Sequence, residues 1–417
     1  MLGQIEDLCR ALLSSRGEAS GVAIARRVLD LYAHATPDER HAFLRSLAAN
    51  FGPDRATIGD AWSAYEREAT PATLAAMIHA VEPPRQELFR RLNFAPGGTA
   101  ALLAMREDLL GCGAEGELKS VDADLVHLFA SWFNRGFLRL RRIDWLTPAD
   151  ILERIIRYES VHEVQGWDDL QRRVYPADRR CFAFFHPSLA REPLIFVQVA
   201  LTNQIPGAIG DLLTADRQVM PVEEVTTAVF YSISNCQLGL RSVSFGNFLI
   251  KQVVEELSRE LPSLNTFVTL SPAPGFGGWL ARVLDDPTGS GWSERETEAV
   301  KRVLGAPDWH RDAVALASIE KTMLALAAEY YLSIKTGSGE PIDPVARFHL
   351  GNGARLERLN WVADVSPKGL REAKGLMVNY LYDRRSIEAN HEAYVGTGAI
   401  AASDAVSRHL RENARIR

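Results

Sequence analysis

The sequence predicts an α+β protein in two domains: a helical one over residues 1–150, then an α/β or α+β one over residues 151–417. Three observations carry that reading. Apolar residues recur at helical spacing through the first part of the chain. After Tyr175-Pro176 the pattern changes to short runs rich in Val, Ile and Phe. At roughly 100–200 residues per domain, 417 residues suit two or three domains, each able to bury a core without disulfides or metal staples.

The helical stretch opens with a stripe of Ile5, Leu8, Cys9 and Leu12. A longer stripe runs through Leu125, Leu128, Phe129, Trp132, Phe133, Phe137 and Leu140. Thr36-Pro37 with Glu39, and Thr147-Pro148 with Asp150, each supply an N-cap hydroxyl, a proline at the first helical position and an acid at the third. No strand-like alternation interrupts this part. The second half holds CFAFF (181–185), PLIFVQVAL (193–201), TTAVFYSIS (226–234) and NTFVTLS (265–271), whose near-continuous apolarity predicts strands covered on both faces. Helices are expected at 247–259 and within 293–334, the latter opening on a Ser293/Glu296 capping box. KTGSGE (335–340) reads as a surface loop, and GLMVNYLYD (375–383) as a last strand.

Composition excludes several classes. With 47% hydrophobic and 24% charged residues, the chain is neither disordered nor fibrous. Lys plus Arg number 47 against 53 Asp plus Glu, a net charge of -6, which argues against a dedicated nucleic-acid binder. Cys9, Cys112, Cys181 and Cys236 form no CxxC pair, so neither a disulfide framework nor a zinc knuckle is expected. None of the ten histidines stands in HExxH or another metal spacing. No apolar run approaches the ~20 residues of a membrane span, and the opening residues carry acids where a signal peptide carries bases. The expectation is a soluble cytoplasmic protein.

Three segments can carry chemistry. Residues 226–257 read as a strand, a loop with Gly239 and Gly246, and a helix starting near Asn247. Backbone N–H groups at such a helix start can hold a phosphate, with Arg241 and Lys251 adding charge; the other reading is a plain strand-to-helix turn. The strand ending in Leu270-Ser271-Pro272-Ala273-Pro274-Gly275-Phe276 sets Ser271 at its carboxyl end, where open sheets place ligands, or simply in a turn. It is not a GxSxG elbow. His349, followed by Leu350-Gly351-Asn352-Gly353, reads as a titratable or a structural histidine at a tight turn.

FYSIS with its glycine loop, LSPAPGF, ARFHLGNGARLERLNWVADVSPKGL and GLMVNYLYD resemble, in order and spacing, the malonyl-CoA decarboxylase family. The likeness begins around SWFNRGFLRLRRIDW (131–145) and covers most of the chain beyond it. It implies a helical domain used in homo-oligomerisation and a mixed α/β catalytic domain of the GNAT acyltransferase type. Strand 226–234, loop 239–246 and the next helix would then bind the CoA pyrophosphate through Gly239, Arg241, Ser244, Gly246, Asn247 and Lys251. By the same resemblance, Ser271 holds the malonyl group beside the pantetheine arm and His349 is the general acid. Tyr382 donates to the thioester oxygen or orients His349, and Asn379 is a neighbour. Some members of the family carry a glutamate where this chain has Ser244.

The implied reaction turns malonyl-CoA into acetyl-CoA and CO2 through a thioester enolate. No metal or separate cofactor is expected, the CoA ester being the substrate, and neither nucleic acid nor membrane is an expected partner. A GNAT-type CoA-dependent acyltransferase would use the same cradle, with His349 or Tyr382 as acid or base. A CoA-binding scaffold would bind the ester without turnover.

Overall fold

The protein is described by a computed structural model, covering residues 2–14, 17–243, 249–287 and 291–410. It forms two compact units. One comprises Met1–Arg139 with Phe185–Leu194 and Asn235–Gly246; the other comprises Leu140–Phe184, Ile195–Ser234 and Asn247–Arg417.

The first unit is a bundle of helices running from Leu2–Leu13 to Leu118–Trp132. Ile5, Cys9 and Leu12 are buried, as their spacing predicts. Helix Pro37–Asn50 starts with the expected reciprocal cap, Thr36 Oγ1 accepting from Glu39 N and the Glu39 carboxylate from Thr36 N. The longer stripe holds only in part. Leu125, Leu128, Phe129 and Phe133 are buried, but the helix ends at Trp132 and Phe137 is exposed. A short strand, β1 (Arg139–Ile143), comes next, which corrects the expectation of uninterrupted helix to residue 150. Its sequence, RLRRI, carries charge where a buried strand carries apolar residues, so the apolar pattern could not reveal it. Within this unit the buried Arg106 guanidinium bonds Asp122 at 2.7 Å and donates to the carbonyls of Gly239 and Arg241, each at 2.7 Å.

The second unit is built on a mixed sheet. Its strands after β1 are β2 (Arg179–Phe185), β3 (Pro193–Thr202), β4 (Thr227–Asn235), β5 (Thr266–Thr269), β6 (Ser271–Pro272), β7 (Arg355–Asn360) and β8 (Met377–Leu381). The order is β1-β2-β3-β4-β5-β8-β6, with β7 also on β8. β2 is buried at every residue and β3 at all but its last, which explains their unbroken apolar runs. β4 and β5 are parallel, joined through helix Leu249–Glu260, and pair from Thr227↔Thr266 to Phe230↔Thr269. β8 runs antiparallel to β5, β6 and β7. The unit is thus a mixed α/β domain, as the apolar runs of the second half predict.

Beyond Phe230 the sheet opens. Leu270 N donates to Phe230 O at 3.0 Å, and β4 runs on to Asn235 without a further partner on β5. There the buried Glu159 carboxylate collects Ser232 Oγ, Ser234 Oγ and Gln198 Nε2, so side chains brace the part of β4 that β3 still pairs and β5 does not. Val229, Tyr231, Val268, Leu270 and Met377 pack into one core cluster on one face of the sheet. Strand alternation therefore sends Phe230, Thr269, Ser271, Tyr380 and Tyr382 to the other. Helix Ala149–Tyr158 forms, but Thr147 does not cap it; its hydroxyl accepts from Asp144 N at 3.0 Å and closes the preceding turn. The block 293–334 is two helices, Glu294–Leu304, with the expected Ser293/Glu296 box, and Ala313–Leu332.

Candidate active site

Ser271 sits in the sheet rather than in a loop. β6 pairs it with Val378 of β8, and the proline-bounded turn after it leads into helix Phe276–Asp285. Because side chains alternate, Thr269 lies on the same face two residues earlier, and Ser271 Oγ donates to Thr269 Oγ1 at 2.9 Å. Thr269 Oγ1 also accepts from Tyr380 N at 3.2 Å, which ties the serine to β8.

His349 comes from helix Pro344–Gly351, which Asp343 caps through Val345 N and Ala346 N, with Pro344 at the first position. The histidine therefore stands in the last helical turn, which corrects the tight-turn expectation; Gly351-Asn352-Gly353 terminate the helix just after it. Gly353 is obligatory there: its φ is +81°, and a Cβ would stand 2.0 Å from Ile387 O. The imidazole stacks on the Tyr380 ring at 4.5 Å between centroids and 27° between planes. Its Nε2 lies 3.0 Å from Ser271 Oγ and its Nδ1 2.7 Å from the Tyr382 hydroxyl.

Ser271, His349 and Tyr382, far apart in sequence, thus form one buried chain of hydrogen bonds. Burial lowers the His349 pKa from 6.5 to about 3 and pushes that of Tyr382 well above the ordinary phenol range, so at neutral pH both are uncharged. The proton order is then set. With Ser271 donating to Thr269, His349 Nε2 carries the hydrogen given to Ser271, and Nδ1 accepts from the Tyr382 O–H. A cavity of about 290 Å³ reaches this chain at Tyr382 and is also lined by Ile250, Lys251, Asn352, Ile387, Glu388 and His391.

The other expected residues are placed differently. Asn379 is fully buried but alternation turns it away from His349. It donates to Thr269 O at 2.8 Å and accepts from Arg358 Nε and Asn360 Nδ2, a brace behind the site rather than a member of it. Gly239 is needed for packing: a Cβ would stand 2.5 Å from Leu103 O, while its N–H donates to Glu107 and its carbonyl accepts from Arg106. Those groups are committed within the helical unit, so the expected phosphate-binding role has no support from this glycine's backbone. The Arg241 side chain is exposed. Ser244, Gly246 and Asn247 lie outside the described residues. Lys251 does line the cavity, but its ammonium pairs with Glu388 at 3.0 Å. Thr269 and Tyr380 escaped the sequence reading, although each lies two residues from an expected site residue, which in a strand means the same face.

Residues 136–417 match the family model of the malonyl-CoA decarboxylase C-terminal domain, and residues 51–133 that of the N-terminal domain. The chain belongs to the malonyl-CoA decarboxylase family. It is 36% identical over 399 residues to the mitochondrial malonyl-CoA decarboxylase of Anser anser anser, an alignment covering 88% of this chain and 79% of that protein. A solved malonyl-CoA decarboxylase of Rhodopseudomonas palustris superposes with a TM-score of 0.94 at 54% identity, covering 98% of this chain and 99% of the other. The Agrobacterium vitis decarboxylase likewise gives 0.94 at 53% identity, covering 98% and 100%.

Proposed function

We infer that this chain is a carboxy-lyase that decarboxylates malonyl-CoA and releases acetyl-CoA and CO2. The observation that carries the reading is the serine–imidazole–phenol chain, opening on a cavity in a member of this family. The chemistry suits it. A carboxylate β to a thioester carbonyl leaves its electron pair in the thioester enolate, so orientation, donors for the enolate oxygen and one proton are what the protein must provide. We therefore also propose that no resident metal or cofactor takes part.

In this mechanism Ser271 turns its hydroxyl from Thr269 to the malonyl thioester, helping to hold it with the breaking C–C bond perpendicular to the carbonyl plane. The bond breaks, CO2 leaves and the electron pair forms the enolate. His349 Nε2–H, released from Ser271, then gives its proton to the α-carbon as Nδ1 takes the Tyr382 proton. The phenolate is recharged from solvent. A thioester enolate is a far stronger base than a phenolate, so the transfer runs downhill. The sequence reading made His349 an acid in its own right; burial makes it a neutral relay with Tyr382 as the proton store, since an imidazolium with a pKa of about 3 is scarce at neutral pH.

The pyrophosphate is proposed to lie by the start of helix Leu249–Glu260, near Lys251. All four cysteines are free thiols, which supports the proposed cytoplasmic, reducing location. No described helix is long and apolar enough to cross a membrane. Homo-oligomerisation through the helical unit is supported by helices Arg55–Arg67 and Pro71–Val81, which bury none of their residues yet expose Trp62, Leu74, Ile78 and Val81.

The deciding test is incubation with malonyl-CoA and no acceptor. Stoichiometric acetyl-CoA and CO2 are expected; CoA-ester binding without CO2 release overturns the reading.

A further inference from the structure

One buried carboxylate lies outside the chain of reacting groups yet touches both elements that carry them. Asp343 has no exposed surface. Its Oδ1 accepts from Val345 N and Ala346 N, each at 2.9 Å, which fixes the start of the helix bearing His349. Its Oδ2 accepts from the Tyr330 hydroxyl at 3.1 Å, and the carboxylate also accepts from the backbone N–H of Gly275. Gly275 ends the turn that begins at Ser271, and the intervening Pro272 and Pro274 leave that turn little freedom.

The space around this junction is filled. A Cβ on Gly275 would stand 2.4 Å from the Tyr330 hydroxyl. The Tyr330 ring packs on Phe276 at 5.5 Å and Trp279 at 5.3 Å, both on the helix that comes after the serine turn. A helix cap needs only an acceptor for its first N–H groups, and an exposed serine or aspartate supplies one. A fully buried carboxylate is a costly cap unless its remaining lone pairs are also used. Here they are used on the serine side.

We propose that Asp343 is a positioning residue of the decarboxylation: by bonding the histidine helix and the serine turn through one carboxylate, it sets the 3.0 Å separation between His349 Nε2 and Ser271 Oγ. This rests on the function proposed above and adds a residue to it. A misplacement of about 1 Å between reacting groups can cost on the order of 10²-fold in rate.

The substitutions separate the two halves of the junction. Asp343→Asn keeps an oxygen for Val345 N and Ala346 N but presents an amide to the Gly275 N–H. Asp343→Ser keeps a cap and loses the reach to the turn. Tyr330→Phe leaves the carboxylate and removes one of its ties. Steady-state kinetics on malonyl-CoA, thermal unfolding and crystal structures of the variants are the measurements. The expected result is kcat lowered about 10- to 100-fold in both Asp343 variants, and several-fold in Tyr330→Phe, with KM within about twofold and the Ser271–His349 distance lengthened.

A folded Asp343→Asn or Asp343→Ser enzyme with near wild-type kcat overturns the proposal, as does an unchanged Ser271–His349 distance. Should both Asp343 variants fail to fold, Tyr330→Phe decides alone: reduced kcat at constant KM supports the proposal, and unchanged kcat overturns it. Absence of CO2 release from the unaltered protein strikes the proposed function instead, and the distance comparison then still decides the positioning claim.

Discussion

His349 is held neutral by burial alone, and that has two measurable consequences. Its pKa in the folded chain, about 3, lies below the ordinary 6.5, so on acidification the unfolded chain takes up a proton that the folded chain refuses. Stability is therefore full above about pH 6.5 and falls as pH drops towards 3; His162, lowered to about 4 chiefly by burial, acts in the same direction. Thermal unfolding should show Tm falling through this window, with a shallower fall in His349→Asn. In the same window, kcat/KM should show no inflection near pH 6.5 owing to this histidine. Replacing Ser271 or His349 by alanine should lower kcat by about 10²- to 10⁴-fold with KM largely retained. Tyr382→Phe, which keeps the ring but removes the proton store, should act on kcat as well. Near wild-type turnover in these variants would remove the proposed relay.

At the scale of elements, the sheet and the histidine helix fix the site by register. The apolar runs of β2, β3 and β4 were legible because burial on both faces demands them, whereas β1 and β7 (RLERLN) carry charge on their open sides and escaped notice. Ser271 was legible as a strand-end residue, but Asn379 illustrates the limit: the family likeness made it a neighbour candidate beside Tyr382, and a period of two puts it on the opposite face. Gly239 illustrates another. A glycine before a helix suggests a phosphate, and only the position of Leu103 reveals that it answers a packing demand. Two predictions belong here. Gly353→Ala forces a strained φ, costing about 1–3 kcal/mol before the clash with Ile387 O is counted, so a Tm lowered by several degrees is expected in a melt. Glu388→Gln removes the carboxylate from a largely exposed ion pair with Lys251, of a kind worth about 0–1 kcal/mol, and should lower KM for malonyl-CoA up to a few-fold. A raised KM would show that Glu388 assists binding instead of competing for the lysine.

For the whole molecule, the two family models adjoin between residues 133 and 136, and the compact units part after Arg139, close to the point where the helical spacing ends. The exposed apolar helices of the first unit carry the proposed self-association: Trp62→Glu with Ile78→Glu should reduce the mass measured by light scattering while leaving the helical circular dichroism unchanged. The uncharged relay reaches beyond the single turnover. Among the described residues, no charged side chain bonds Ser271, His349 or Tyr382, so these three groups offer the malonyl carboxylate no counter-ion. Reacting groups that do not reward the departing carboxylate with ground-state affinity contribute little to telling substrate from product before the reaction. Acetyl-CoA should accordingly be a competitive inhibitor with a constant close to KM, and net flux through the enzyme should depend on how quickly other reactions draw its product away.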